Sequence, residues 1–438
     1  MPASRAVGDR SAVRPPPMGK GGYLKDGITA AGTLRRGGSA AFSCRKERQV
    51  FIAPNSMDNS EKTKLKQQKR WRFLLRTAGN FFIRRFNYSY EDLAIEPPFL
   101  LISNHVTNSD PFLVGITSRT APLTYVASEH IFRLGPVTKL IRAFAEMIPR
   151  SKAASGLGTV KTILQRARKG EGVVLFAEGD CTWDGVSHHV MSATGKLAKA
   201  AKVPLVTFRL KGGYLTSPRW AKKLRKARMH GGAVHIYTPE ELSGMTAEEV
   251  TAAIDRDIYD DTWADQLQER IRVRSSAPAE CLERALFICP VCGGIDCMGS
   301  KGGTLFCKNC GTGAELDEYG FFREGAPFRT VREWDEWQRS ALAEKRGAGL
   351  FAGRGVLTGV LGEKLKKKTA FSLDLDRGGI VIGDEFTPFS AITDMAMVKT
   401  VRLLFSTEKG YYELKSKRGI LRPYLTAWQL QRKDTEEG

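Results

Sequence analysis

The sequence predicts an α/β unit with a mainly parallel sheet covered by helices. A cysteine-rich ribbon follows, then a small β-barrel-like domain with a C-terminal helix. Three observations carry this. From Pro98 to about Leu215, short apolar runs alternate with helix-length segments. Five of the eight cysteines lie between Cys289 and Cys310. From about Gly353 to Arg432, short strand-like runs are separated by turn residues. A chain of 438 residues is too long for one compact core, so several domains are expected.

The elements follow in order. Residues 1–56 are rich in Arg, Gly, Pro and Ser without periodicity, as in "SAVRPPPMGKGG". They read as disordered, as a transit-like leader, or as a stretch ahead of a true start at Met57. Residues 57–90 hold a basic amphipathic helix over Lys69 to Phe86. Trp71, Leu74, Leu75, Ala78, Phe81 and Phe82 follow helical spacing, flanked by Arg72, Arg76, Arg84 and Arg85. Such a helix lies on an anionic membrane or packs on its own domain.

Residues 91–280 form the α/β domain. "FLLIS", "LTYVAS", "GVVLFAEG" and "VPLVTFRL" are continuous apolar runs, expected of strands buried on both faces. "PFLVGITSRT", "GPVTKLIRAFAEM", "GTVKTILQRARKG" and "ATGKLAKAAK" read as the intervening helices. Residues 217–280 read as helical and polar, with a helix start at Thr246. Residues 281–325 form the ribbon, 326–352 a helical linker, and 353–438 the small β domain with "PYLTAWQLQR" as its closing helix.

The formal net charge is +21, which implies an acidic partner: nucleic acid, an anionic membrane, or an acidic carrier protein. No apolar run reaches the roughly 18 residues needed to span a bilayer, and no signal-peptide pattern opens the chain.

The stretch "LLISNHVTNSDPFLVG" places His105 and Asp110 at the mouth of a buried strand. Ligands of parallel sheets gather beyond the C-terminal strand ends, where Asn104, His105, Glu178 and Gly179 fall. Asp110-Pro111 is also an ordinary helix start, with Asp110 as N-cap. Both readings hold if one carboxylate oxygen faces His105 while the other caps the helix.

Four segments in order resemble the glycerolipid acyltransferases related to 1-acylglycerol-3-phosphate acyltransferase. An Asn-His pair followed after four residues by Asp is matched by Asn104, His105 and Asp110. A basic residue after a short apolar run is matched by "MIPR", ending at Arg150. A Phe-Pro-Glu-Gly-Thr-Arg-Ser motif is matched in part by "FAEGDCT", Phe176 to Thr182, and an apolar stretch with an early proline by "VPLV". The similarity spans roughly residues 70–220. Ala177 replaces the proline, and Asp180, Cys181 and Thr182 stand where Thr-Arg-Ser is usual. The missing arginine removes a bidentate phosphate donor, and Asp180 adds negative charge. Arg150, Lys152 and Lys196 are candidate cationic substitutes.

The resemblance implies an acyltransferase-like fold and acyl transfer from acyl-CoA or acyl-carrier protein to the free hydroxyl of a lysophospholipid. The expected acceptor is 1-acyl-sn-glycerol-3-phosphate, giving phosphatidic acid. It implies His105 as general base, Asp110 as its orienting carboxylate, and Asn104, Arg150, Phe176, Glu178 and Gly179 in substrate binding. It also implies a cytoplasmic protein, peripheral on the inner face of the cell membrane. The residue types suit the chemistry. A histidine removes the hydroxyl proton near neutral pH, and a carboxylate on its other nitrogen fixes the tautomer. The hydroxyl attacks directly, so Cys181 needs no covalent role. Backbone N–H groups around Gly179 are candidate oxyanion donors. His188 and His189 read as loop residues.

Cys289, Cys292, Cys307 and Cys310 form two CxxC knuckles with fourteen residues between them. Four thiolates at this spacing favour a closed, structural, tetrahedral Zn²⁺ site over a redox role. Catalysis itself calls for no cofactor. Cys297 is a spare thiol. The last domain resembles a pleckstrin-homology or GRAM-type domain in strand count and terminal helix. A nucleic-acid-binding protein is disfavoured, because the ribbon carries no basic-aromatic stripe. A catalytically dead lipid scaffold is disfavoured by the intact His105 and Asp110.

Overall fold

The computed structural model describes residues 69, 71–73, 75–119, 121–128, 146–150, 157–344, 350–359, 366–398, 400–416 and 420–437. The expectations for residues 1–56, for Lys152 and for most of the "GPVTKLIRAFAEM" helix lie outside them.

The first sheet has seven strands: β1 (Tyr88–Tyr90), β2 (Phe99–Ser103), β3 (Thr124–Ser128), β4 (Glu146–Arg150), β5 (Gly172–Phe176), β6 (Leu205–Lys211) and β7 (Met229–Tyr237). Their order is β1-β7-β6-β2-β5-β3-β4, and every pairing is parallel except β6 with β7. Strand β2 sits at the centre with every residue buried, as its unbroken apolar run predicts. Two expectations change here. Residues 217–280 contain β7, whose "MHGGAVHIY" alternates too weakly to stand out. Strand β4 takes in Glu146 and Met147, expected as the end of the "GPVTKLIRAFAEM" helix, and carries "MIPR".

Helices cover the sheet. Those at Leu157–Arg168, Ala193–Ala201 and Ala247–Ile258 pack over one apolar cluster containing Leu100, Ile102, Val173 and Leu205. The last begins at Thr246 as expected, with a reciprocal capping box to Glu249. The N-terminal segment buries Trp71 and Phe86, and Trp71 Nε1 donates to Ser118 O at 2.8 Å. Phe81 does not join that packed face: it is 61% exposed, as is Phe73 at 67%. Phe82 stacks on Phe112 of the Asp110–Thr117 helix, centroids 5.0 Å apart.

The ribbon is a three-stranded antiparallel sheet of β8 (Met298–Lys301), β9 (Thr304–Cys307) and β10 (Gly313–Glu315). The segment read as a linker is no loose tether. Its helix, Val331–Glu344, buries Trp334, Asp335 and Gln338. Gln338 Oε1 accepts from Phe287 N at 2.8 Å, and Trp334 Nε1 donates to Ile288 O at 3.1 Å, which ties the helix to the segment that enters the ribbon.

Seven antiparallel strands complete the chain: β11 (Leu350–Gly359), β12 (Lys366–Asp374), β13 (Gly379–Ile382), β14 (Glu385–Pro388), β15 (Asp394–Val398), β16 (Arg402–Thr407) and β17 (Gly410–Lys415). Their order is β14-β13-β12-β11-β17-β16-β15. Strand β14 was not expected. The closing helix, Arg422–Glu437, packs Tyr424 edge-on to Phe371 and bonds Trp428 Nε1 to Ile392 O at 3.1 Å.

Arg422, 1% exposed, pairs with Asp335 at 2.7 Å and also donates to Ala285 O. Asp335 is fully buried and also holds Arg339 at 2.9 Å. Burial opposes its charge, but Arg422 and Arg339 outweigh burial and hold its carboxyl below the ordinary value. Asp335→Ala strands a buried guanidinium, so urea unfolding should show a loss of about 3–5 kcal/mol. The contribution is present above the ordinary carboxyl range and fades as pH falls through the depressed value. A loss under 1 kcal/mol would mean that water reaches Arg422.

Candidate functional site

The C-terminal ends of β2 and β5 are neighbours, so the loops that follow them meet. Strand β2 runs into Asn104 and His105. Asn104 is wholly buried, and its amide pairs with one backbone unit of β6: Nδ2 donates to Leu210 O and Oδ1 accepts from Leu210 N, both at 2.8 Å. The side chain thus adds one rung to the sheet. Its polar atoms face Leu210 rather than an open site, which corrects the expectation that Asn104 binds substrate.

His105 Nδ1 lies 2.9 Å from Asp110 Oδ2. That oxygen also accepts from Val106 N at 2.6 Å and Thr107 N at 2.8 Å, while Oδ1 accepts from the Thr107 hydroxyl at 2.6 Å. Asp110 is fully buried, so all these bonds are made away from water. A carboxylate that already takes two N–H groups at Oδ2 is an acceptor there, so Nδ1 carries the proton and Nε2 is left with the lone pair. The helix Asp110–Thr117 takes Ser109 as its N-cap. Asp110 therefore does not split its oxygens between histidine and helix cap as expected; both serve the loop 105–107.

The ring of His105 is 21% exposed and stacks on Phe176, the last residue of β5, with centroids 4.5 Å apart. Burial opposes the imidazolium, but Cys181 and Asp110, both within hydrogen-bonding reach, outweigh it and raise the pKa well above the ordinary value.

Glu178 takes a different place from the one the resemblance implies. Oε1 accepts from His105 N and Oε2 from His188 N, each at 2.7 Å, so both oxygens brace loops. Burial pushes its carboxyl up to about 8 against these two bonds. Gly179 has φ +78°, a conformation that favours glycine, and its N–H is spent on Phe176 O at 3.2 Å. The N–H of Cys181 goes to Asp180 Oδ1 and that of Thr182 to His105 O. Of the backbone N–H groups around Gly179, those of Gly179, Cys181 and Thr182 are thus engaged by neighbouring acceptors. His188 is held by Glu178, and His189 Nδ1 lies 2.5 Å from Asp255; both sit in the loop before the Ala193–Ala201 helix.

Arg150 ends β4 on the same edge of the sheet, and a Cβ on Gly179 would lie 3.8 Å from its Nη1. Its Nη2 meets Met191 Sδ at 3.6 Å, and among the described residues no carboxylate is paired with it. Lys196 is exposed on its helix. The cation that meets the altered third motif is one sequence reading missed. Arg219, with 4% of its side chain exposed, pairs with Asp180 at 2.5 Å and donates to Cys181 O at 3.0 Å. It answers the negative charge that Asp180 brings. It comes from a loop beyond β6, outside the four motifs, so spacing could not find it.

The cysteine cluster is a second centre. The four sulfurs of Cys289, Cys292, Cys307 and Cys310 lie within 4.8 Å of one another, with Cys289–Cys310 at 3.6 Å and Cys292–Cys307 at 3.7 Å. Tetrahedral Zn–S bonds of about 2.3 Å require sulfurs about 3.8 Å apart, so the donor set fits. Backbone N–H groups of Val291 and Cys292 point to Cys289, and those of Asn309 and Cys310 to Cys307. Cys297 lies 3.4 Å from Cys307 Sγ but donates its S–H to Gly294 O at 3.1 Å, so it remains a thiol beside the four.

Residues 86–211 match the Acyltransferase family model. The match covers under a third of the chain and contains His105, Asp110, Arg150 and Glu178. No curated protein matches the chain. Among solved structures it is similar to the 1-acyl-sn-glycerophosphate (LPA) acyltransferase PlsC from Thermotoga maritima. That similarity has 15% identity and a TM-score of 0.37, covering 49% of this chain and 86% of that one. The acyltransferase-like segment thus ends with β6, and the ribbon and C-terminal sheet lie beyond it. No helix among the described residues is long and apolar enough to cross a membrane.

Proposed function

We propose that the protein transfers an acyl group from an acyl thioester, acyl-CoA or acyl-carrier protein, to the hydroxyl of a lysophospholipid. We take 1-acyl-sn-glycerol-3-phosphate as acceptor and phosphatidic acid as product. One observation carries the reading: a tautomer-fixed His105–Asp110 pair stands at the strand ends of an acyltransferase-like segment. His105 Nε2 takes the hydroxyl proton as the oxygen attacks the thioester carbonyl. Asp110 stabilises the imidazolium, which returns the proton to the departing thiolate. Arg150, unpaired with any carboxylate among the described residues, takes the acceptor phosphate. Cys181 has no covalent part. Zn²⁺ in the cysteine cluster is structural.

A panel of lysolipids with labelled acyl-CoA or acyl-carrier protein tests this. Turnover that prefers the phosphate-bearing acceptor, with KM for it raised by Arg150→Gln, is the expected result. No product from any pair would remove the reading.

We place the enzyme at the cytoplasmic face of an anionic membrane, seated by Phe73 and Phe81 with exposed Arg72, Arg84 and Arg85 around them. Phe73→Ser with Phe81→Ser should lower affinity for anionic vesicles, read by sedimentation, by about 30-fold, since each exposed ring contributes on the order of 1 kcal/mol. Unchanged sedimentation would place the contact elsewhere.

A further inference from the structure

We propose that Trp183 is a positioning residue of the acyl-transfer site, fixed by two arginines, one of them from the C-terminal helix. The inference rests on the acyltransferase reading above. It makes the C-terminal sheet and the ribbon part of the catalytic apparatus rather than appendages.

Trp183 follows Cys181 and Thr182 in the loop after β5 and is 4% exposed. The Arg219 guanidinium carbon stands 4.3 Å from its ring centroid and that of Arg422 stands 4.8 Å away. Both arginines are themselves immobilised. Arg219 is held by Asp180, by Cys181 O and, at 2.7 Å, by Met397 O of β15. Arg422 is held by Asp335 and by Ala285 O at the entry to the ribbon. Among the described residues the buried indole Nε1 has no hydrogen-bond partner, so the contacts that hold the side chain are those of its aromatic face. A desolvated guanidinium on an indole is among the stronger cation–π arrangements.

The other end of the same loop touches the base. Thr182 N donates to His105 O at 3.3 Å, and Glu178 accepts from His105 N at 2.7 Å. A chain of fixed contacts therefore runs from Asp335 through Arg422 and Trp183 to the backbone of His105. None of Asp335, Arg422 and Trp183 needs to touch substrate. Loss of the indole face frees the loop to shift against His105, and a displacement of about 1 Å near reacting atoms costs up to about 10²-fold in rate.

The test uses the full chain carrying Trp183→Phe, with Arg422→Lys as the second variant. The lysine keeps a charge beside Asp335 but lacks the planar guanidinium. Three readouts are taken: melting temperature, kcat and KM for both substrates, and the titration of His105 by NMR on ¹³C-histidine protein, assigned with His105→Gln. We expect each variant to fold, kcat to fall about 10–100-fold with KM within about threefold, and the His105 midpoint to move by about half a unit or more. The double variant should be no worse than the poorer single one, because both cut the same chain of contacts. Folded variants with wild-type kcat and an unmoved His105 midpoint would overturn the proposal. The NMR arm needs no turnover. If the wild type were inactive on every lysolipid, the acyl-transfer reading would fall, while a moved midpoint would still support the link and an unmoved one would sink it. If Trp183→Phe does not fold, Arg422→Lys decides by the same readouts.

Discussion

Asp110→Asn is expected to leave the protein folded while cutting acyl transfer by about 10²–10⁴-fold. The substitution is close to isosteric in hydrogen bonding. Asparagine can set its carbonyl where Oδ2 accepts from His105, Val106 and Thr107, and its amide where Oδ1 meets the Thr107 hydroxyl. The Thr107 hydroxyl then accepts from the amide instead of donating to a carboxylate, so the charge is lost together with one reversed hydrogen bond. In the proposed mechanism that charge stabilises the imidazolium formed as the substrate oxygen attacks. His105→Ala removes the base itself and should lose at least as much.

The pH profile separates the two. A general base works only when neutral, and the His105 pKa is raised well above the ordinary value. Wild-type kcat/KM should therefore keep rising on the alkaline side of about 6.5. In Asp110→Asn the rise should move to lower pH, with a lower plateau. The same raised pKa contributes stability that is complete below about 6.5 and is lost as pH climbs through the folded-state value. A profile unchanged in position, with activity merely reduced, would mean that Asp110 acts on loop shape alone.

Removing metal from the cysteine cluster should produce the largest loss of stability in the molecule. Structural zinc in small fingers contributes about 10–16 kcal/mol, and the ribbon has little core of its own. Its entry segment, however, is part of the common core: Phe287 and Ile288 are fully buried, and both bond to the Val331–Glu344 helix. Chelation should therefore depress the melting temperature of the whole unit. Metal analysis should give one zinc per chain, retained by Cys297→Ser and lost by Cys289→Ser or Cys307→Ser. Zinc loss on Cys297→Ser would make the fifth thiol a ligand. An unaltered melting curve after complete chelation would remove the metal from the fold.

The sequence showed most plainly whatever local pattern decides. The "FLLIS" run, the Thr246 cap and the paired CxxC knuckles are settled by neighbours within a few residues, and each lies where it was expected. His105 and Asp110 were legible because one loop carries both. What escaped was long-range. Asn104 looked like a ligand because its type and place suit one, yet its partner is the backbone of Leu210, across the sheet. Glu178 was read as facing substrate because it stands in a motif, but its oxygens are taken by the backbones at His105 and His188. Arg219 could not be found at all, since nothing near it in sequence announces Asp180. The helix within residues 326–352 was legible but its partners were not: Trp334, Asp335 and Gln338 face groups supplied by the ribbon and by Arg422, and helix periodicity does not reveal which partner a face will meet. Strand β7 was hidden by its two glycines and by its place between β1 and β6, parallel to the first and antiparallel to the second.

The wall around Trp183 also sets an order of events during synthesis. Arg219 emerges soon after the loop it holds, but Arg422 comes from the last helix of the chain. At translation rates of about 5–20 residues per second, roughly 10–50 s separate the two halves of that contact. For this interval the nascent acyltransferase-like segment already has its sheet, its histidine and its aspartate, while the indole beside them lacks one of its guanidinium partners. A chain still on the ribosome, or one cut short before Arg422, would therefore hold Trp183 with only one of its two guanidinium partners.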